Sequence, residues 1–200
     1  MNTCSSNQAF NLRSWIFIAC AVSLALSSAL VARAEEQTAK LPPNTLGYGD
    51  GKPDGKKSYG GNGHMIRFEL PEGVTKIKGI RIHGSRYGLP QAPDENFEIT
   101  FLNDKRDEII HTESAPYKVF KRGKENWVRI PFDKEVELPK KFWIALDFNA
   151  EQTKGVYVSY DTSTKGQYSR VGRPGDDKEP KETDFGGDWM VQVLLAPPPK

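Results

Sequence analysis

Cysteine is scarce in this chain. There are two, Cys4 and Cys20, and both fall near the N-terminus. Histidine is scarce as well, with His64, His83 and His111 as the full complement. None of the three stands in a helix-borne zinc motif, and no two are spaced as a local ligand pair. No Gly-Lys-Ser or Gly-Lys-Thr follows the glycine-rich stretch, so phosphate-loop chemistry is excluded. No excess charge of one sign is present either: 28 basic residues face 26 acidic ones, interspersed along the chain. That balance lacks the electrostatic footprint of a nucleic-acid binder, and no nucleic-acid partner is expected. Amphipathic helical periodicity is missing throughout.

The one long apolar run is Trp15 to Val31, behind a basic Arg13 and ahead of Ala32-Arg33-Ala34. This order fits an export signal cleaved after Ala34, so residues 1–34 are read as a signal peptide and the mature chain as starting at Glu35. A retained membrane anchor is the competing reading, which Ser23, Ser27 and Ser28 weaken. A lipidated Cys20 is the other, but Phe17-Ile18-Ala19 lies too early in the apolar core. Cleavage removes both cysteines. A mature chain without them forms no disulfide, has no thiol nucleophile and no thiolate metal site. Arg13 and Arg33 leave too, with no acidic residue, which takes the formal net charge from +2 to zero. The expected location is the periplasm or the extracellular space, with no membrane association after cleavage.

Residues 35–45 read as a flexible polar linker, 46–196 as one domain and 197–200 as a proline-rich tail. Gly47 to Gly63 is a glycine-rich run of turns. Asp50 and Asp54-Gly55 match part of a calcium loop, but Lys52 takes a ligand position and Gly61 stands where the bidentate Glu belongs, so a structural turn is expected and no metal. Period-two alternation then recurs. Ile66, Phe68 and Leu70 form one apolar phase. Thr75 to His83 forms another, with a bulge expected at Gly79, where the phase switches. Ser85 to Asn96 reads as a long polar loop. Phe97 to Phe101, Ile109 to Thr112 and Trp127 to Phe132 are further strands, the last an edge strand because of Pro131. Gly172 to Gly187 reads as a charged loop, and Trp189 to Leu195 as the final strand.

The clearest alternation lies in Lys141 to Asp161, KFWIALDFNAEQTKGVYVSYD. It predicts a central hairpin that pairs Phe148 with Val156, Leu146 with Val158 and Ile144 with Tyr160. Phe142, Ile144, Leu146, Phe148, Val156 and Val158 are then core residues. The opposite face sets Trp143 across from Asp161, and Asp147 across from Tyr157. Strands at short intervals with turns between them predict an all-β antiparallel sandwich, jelly-roll-like in topology.

The order of features resembles a family of secreted bacterial β-sandwich accessory domains of mostly unassigned function. The resemblance rests on His64-Met65-Ile66-Arg67-Phe68, Ile80-Arg81-Ile82 and Trp127-Val128, while the opening departs from it, with Tyr48-Gly49-Asp50-Gly51 in place of aromatic-Asp-Asp-Gly. The resemblance continues through Phe142-Trp143-Ile144-Ala145-Leu146, Tyr160-Asp161 and Gly187-Asp188-Trp189-Met190-Val191. Versions carrying the run His83-Gly84-Ser85-Arg86-Tyr87-Gly88 are the most similar. The resemblance implies the sandwich fold and an accessory or ligand-binding role.

Two stretches are site candidates. The first is the run from His83 to Asn96, where His83, Arg86, Tyr87 and Asp94 mix a cation, a ring and an acceptor. Its competing structural reading is a braced loop, with Arg86 paired to Asp94 or Glu95 and Tyr87 packed down. The second is a platform of Trp143, Asp147 and Tyr157 on one face of the hairpin, suited to stacking on a sugar ring. Its competing reading is that a loop or the other sheet covers Trp143. Ser85 does not sit in a nucleophile elbow. Asp94, Glu95, Asp147 and Asp161 are the carboxylates available for glycoside hydrolysis. The expected function is a monomeric, non-catalytic binding module for a polysaccharide or other envelope polymer, with no cofactor. The alternatives are a jelly-roll hydrolase or lyase and a purely structural interaction module.

Overall fold

The computed structural model describes residues 41–60, 63–176 and 178–197. Residues 1–34, read above as a signal peptide, most of the segment read as a linker and the end of the tail lie outside the described residues. Within them the chain forms β1 (Thr45–Leu46), β2 (Gly55–Lys57), β3 (Gly63–Glu69), β4 (Lys76–Gly88), β5 (Asn96–Asn103), β6 (Ile109–Pro116) and β7 (Asn126–Glu137). It continues with β8 (Lys141–Asp147), β9 (Lys154–Asp161), β10 (Ser169–Gly172), β11 (Lys181–Glu182), β12 (Asp188–Trp189) and β13 (Val191–Leu195). The helical content of the described residues is a single 3-10 turn at Tyr117–Val119. No helix among them is long and apolar enough to cross a membrane.

Two antiparallel sheets face each other. The first runs β1-β13-β4-β9-β12, with β7 on the other side of β4 and β2 beside β9; the second runs β11-β10-β3-β8-β5-β6. From β3 to β9 every connection except β5–β6 passes from one sheet to the other. This is the wrapping of a jelly-roll-like sandwich. The core lies between the sheets, where Ile66, Phe68, Ile80, Ile82, Phe97, Ile99, Phe101, Val128, Ile130, Phe142, Ile144, Leu146, Phe148, Val156 and Val158 are all buried. The bulge at Gly79 is present, as a register shift between β4 and β7. Gly79 has a φ of +153°, and a Cβ there would stand 2.5 Å from the Ile130 carbonyl oxygen, so no other residue fits without rearrangement.

The central hairpin does not form. β8 pairs with β3 and β5 in the second sheet, whereas β9 pairs with β4, β2 and β12 in the first. The apolar sets of β8 and β9 meet across the core instead of edge to edge. Alternation specifies which side of a strand is buried but not which neighbour supplies its hydrogen bonds. The opposition of Trp143 to Asp161 and of Asp147 to Tyr157 falls with the hairpin. Trp143 lies across from Arg67 and Leu102, and Asp147 across from Glu98.

The loop from Ser85 to Asn96 is also shorter than expected, because β4 continues to Gly88. Its last residues pair with β9, Ser85 with Tyr157 and Tyr87 with Gly155. The inward positions there are Gly84, Arg86 and Gly88, none of them apolar, which hides the strand from a hydrophobicity reading. Likewise β6 runs to Pro116, and Gly172 to Gly187 contains the end of β10 and all of β11.

Candidate functional site

The outward face of the first sheet follows directly from the inward one. On β4, Ile80 and Ile82 point into the core, so Arg81, His83, Ser85 and Tyr87 point out. On β7, buried Val128 and Ile130 leave Trp127 and Arg129 outside. On β9, core-facing Val156 and Val158 turn Tyr157 and Ser159 to the other face, where Tyr157 is half-buried and Ser159 is covered. These side chains form one continuous surface.

At one end of it, the Tyr87 and Tyr157 rings lie 4.7 Å apart at an interplanar tilt of 39°. The Tyr87 ring crosses Gly155, where a Cβ would come within 2.3 Å of the Tyr87 hydroxyl oxygen; the glycine makes room for it. The Lys56 ammonium sits 5.1 Å from the centre of the Tyr157 ring and pairs with Glu125. The Ser85 hydroxyl donates to the same carboxylate at 3.2 Å. These bonds, the Lys56 one foremost, hold Glu125 below the usual carboxylate range. Beside the rings is a depression of about 600 Å³ bounded by Lys56, Ser85, Arg86, Tyr87, Arg122 and Tyr157.

At the middle, His83 meets the Trp127 ring edge-on at 5.2 Å and its Nδ1 shares a hydrogen bond with the Ser159 hydroxyl at 2.8 Å. Burial pushes the His83 imidazole below its ordinary value, with Glu125 opposing, so it is neutral near pH 7. A Ser–His bond is also how a hydrolase begins, but Ser159 is 1% exposed and sits in mid-strand with its carbonyl taken by the Met190 amide. A nucleophile needs an open approach. The bond fixes the imidazole instead. At the far end the Arg81 guanidinium lies over Trp127 at 4.9 Å.

The seven expected site residues divide into three groups. His83, Tyr87 and Tyr157 are on this surface. Arg86 reaches only the wall of the depression: it points inward, is 8% exposed, and donates to the backbone carbonyls of Leu89 (2.6 Å) and Pro90. It braces the loop after β4, as the structural alternative held, but through carbonyls and not through Asp94 or Glu95. Asp94 is exposed in that loop, and Glu95 pairs with Lys154 at 2.5 Å.

Trp143 and Asp147 belong to the second sheet. Trp143 is 5% exposed and packs in a small outer cluster with Met65, Leu102 and Ala145. Its indole N–H donates to the Asp104 carbonyl at 3.1 Å, and Arg106 covers the ring at 5.3 Å. The β5–β6 loop therefore closes over it, and Trp143 is not an open platform. Asp147 is ion-paired with Arg173 at 3.1 Å.

No family model matches the chain, and no curated protein does. One solved structure similar to it is that of a clostridial cysteine protease, Cwp84, after propeptide cleavage. The TM-score is 0.52 at 11% identity, covering 77% of this chain and 40% of that one. At that identity the likeness shows a shared fold alone.

The remaining carboxylates have structural employment. Asp161, 2% exposed, accepts from the Asp50 amide (2.8 Å), the Gly51 amide (3.1 Å) and the Ser163 amide (2.9 Å) and hydroxyl (2.5 Å). Asp54 accepts from the Thr162 amide at 2.7 Å and hydroxyl at 2.6 Å. The Tyr48-Gly49-Asp50-Gly51 opening is thus tied to the end of β9. Arg81, Arg129, Trp127, Lys56 and Glu125 escaped the sequence reading. Three of the five were within reach of it, since Arg81, Trp127 and Arg129 occupy the outward phase of strands whose inward phase was plain; Glu125 precedes β7, and Lys56 lay in a run of turns.

Proposed function

We propose that this protein is an exported, non-catalytic binding module, and that the outward face of its first sheet takes a polysaccharide or another envelope polymer. The observation that carries the reading is the Tyr87–Tyr157 ring pair beside the depression, flanked by Lys56 and Arg122. Rings stack on the apolar faces of sugars, and polar groups beside them fix orientation. The leader-like N-terminus supports export. The free edge of β7 carries Pro131 and charged Arg129, Asp133, Lys134, Glu135 and Glu137, which disfavours pairing with a second copy and supports a monomer.

The test is a glycan-array screen of the full-length protein followed by calorimetry on the polymer it selects. Tyr157→Ala should weaken binding by about 1–2 kcal/mol, the scale of a lost stacking contact, with an unchanged melting temperature. A variant that binds like wild type removes this site. Turnover of the polymer by wild type transfers the protein to the hydrolase or lyase reading.

A further inference from the structure

We infer that this face also holds an anion subsite, built by Arg81, Arg129 and Trp127, and that the polymer it takes bears carboxylates. The inference rests on the binding reading above.

Arg81 and Arg129 stand directly opposite each other on β4 and β7, both turned outward. Like charges in directly opposed positions destabilise a sheet. Nothing among the described residues relieves this pair: no carboxylate lies within 4.0 Å of either guanidinium. Glu125, on the same face, is taken by Lys56 and Ser85. Three of the other described arginines are ion-paired, Arg67 with Asp104, Arg106 with Glu179 and Arg173 with Asp147. Arg86 and Arg170 donate to backbone carbonyls. Arg122, beside the depression, has no carboxylate within 4.0 Å among the described residues. What sets Arg81 and Arg129 apart is that they are directly opposed, on the face that also presents the rings.

The Arg81 fork is held in place. One Nη1–H donates to the Gln192 side-chain oxygen at 3.0 Å, across the strand on its other side, and the guanidinium plane rests on Trp127. A planar carboxylate lying against the two forks replaces the repulsion with charge-assisted hydrogen bonds. From Arg81 to Tyr87 is six residues of strand, roughly 20 Å. That span fits a chain of sugar rings, with its acid groups at the arginine end and a ring stacked at the tyrosine end.

The experiment uses the full-length protein and three polymers at about 0.15 M salt, where screening removes weak surface attraction. These are polygalacturonate, its methyl ester and dextran sulfate. Polygalacturonate should bind, the ester should bind at least tenfold more weakly, and Arg81→Gln or Arg129→Gln should each reduce polygalacturonate affinity at least tenfold. In the unliganded protein Arg129→Gln should raise the melting temperature by about 2 °C, because it removes the repulsion. A melting temperature that stays level or falls overturns the claim of an unrelieved pair. Dextran sulfate bound as tightly as polygalacturonate overturns the carboxylate assignment. Equal affinity for acid and ester, lost in Tyr157→Ala, overturns the anion subsite and leaves the binding module standing. Silence of wild type toward every polymer here and on the array overturns both.

Discussion

His64 shows how much a single residue can weigh in a chain with so few titratable rings. It points into the core from β3, 1% exposed, with the Trp189, Phe148 and Tyr59 rings 4.6, 5.4 and 5.7 Å away. Its Nε2 faces the Lys57 carbonyl at 3.4 Å, and Nδ1 has no partner among the described residues. Burial lowers its pKa from 6.5 to about 4. The folded state therefore resists a proton that the unfolded chain accepts. Above about pH 6.5 the imidazole is neutral in both states and the full stability is present. As pH falls from 6.5 towards 4, the unfolded state alone gains the proton, and about 3 kcal/mol is lost. Urea denaturation at a series of pH values checks this: wild type should lose stability across that window more steeply than His64→Gln. Parallel profiles would show that His64 is not the group responsible. Trp143 teaches the opposite lesson at the same scale. Its sequence neighbours placed it on the outward phase, and it is outward, yet a loop closes over it.

Among the elements, β4 carries the argument. It is thirteen residues long, bulged at Gly79, and it bonds to β7 on one side and to β13 and β9 in turn on the other. Most of the candidate face is on it or on its neighbours β7 and β9, with Lys56 reaching in from β2 beyond β9. Where it ends, Arg86 fastens the following loop by two bonds to the backbone. Arg86→Ala leaves the Leu89 and Pro90 carbonyls without their charged donor. A loss of about 1–3 kcal/mol is expected, with faster amide hydrogen exchange confined to residues 89–95. Exchange that stays slow there would mean that the loop holds itself. β4 is also where sequence reading fell short. Its last third has glycines and an arginine on the buried phase, so the hydrophobic signal stops at Ile82 although the hydrogen-bonded ladder does not.

At the scale of the whole molecule, stability rests on one interface between two sheets, with no cysteine in the described residues to reinforce it. Leu146, fully buried on β8, sits in that interface. Leu146→Ala should cost about 2–5 kcal/mol, read as a lower denaturation midpoint in one cooperative transition. An unchanged midpoint would contradict its place in the core. The sandwich class, the buried set on β8 and β9, the bulge at Gly79 and the outward turn of His83 and Tyr157 were legible from alternation, because a strand's period of two is a local property. The partners of β8 and β9, the inward turn of Arg86, the cover over Trp143 and the separation of Asp147 from Tyr157 onto different sheets were decided only by the tertiary structure. Strand pairing and loop cover depend on residues far apart in the chain, and an apolar face is satisfied equally by a neighbour in its own sheet or by the sheet across the core.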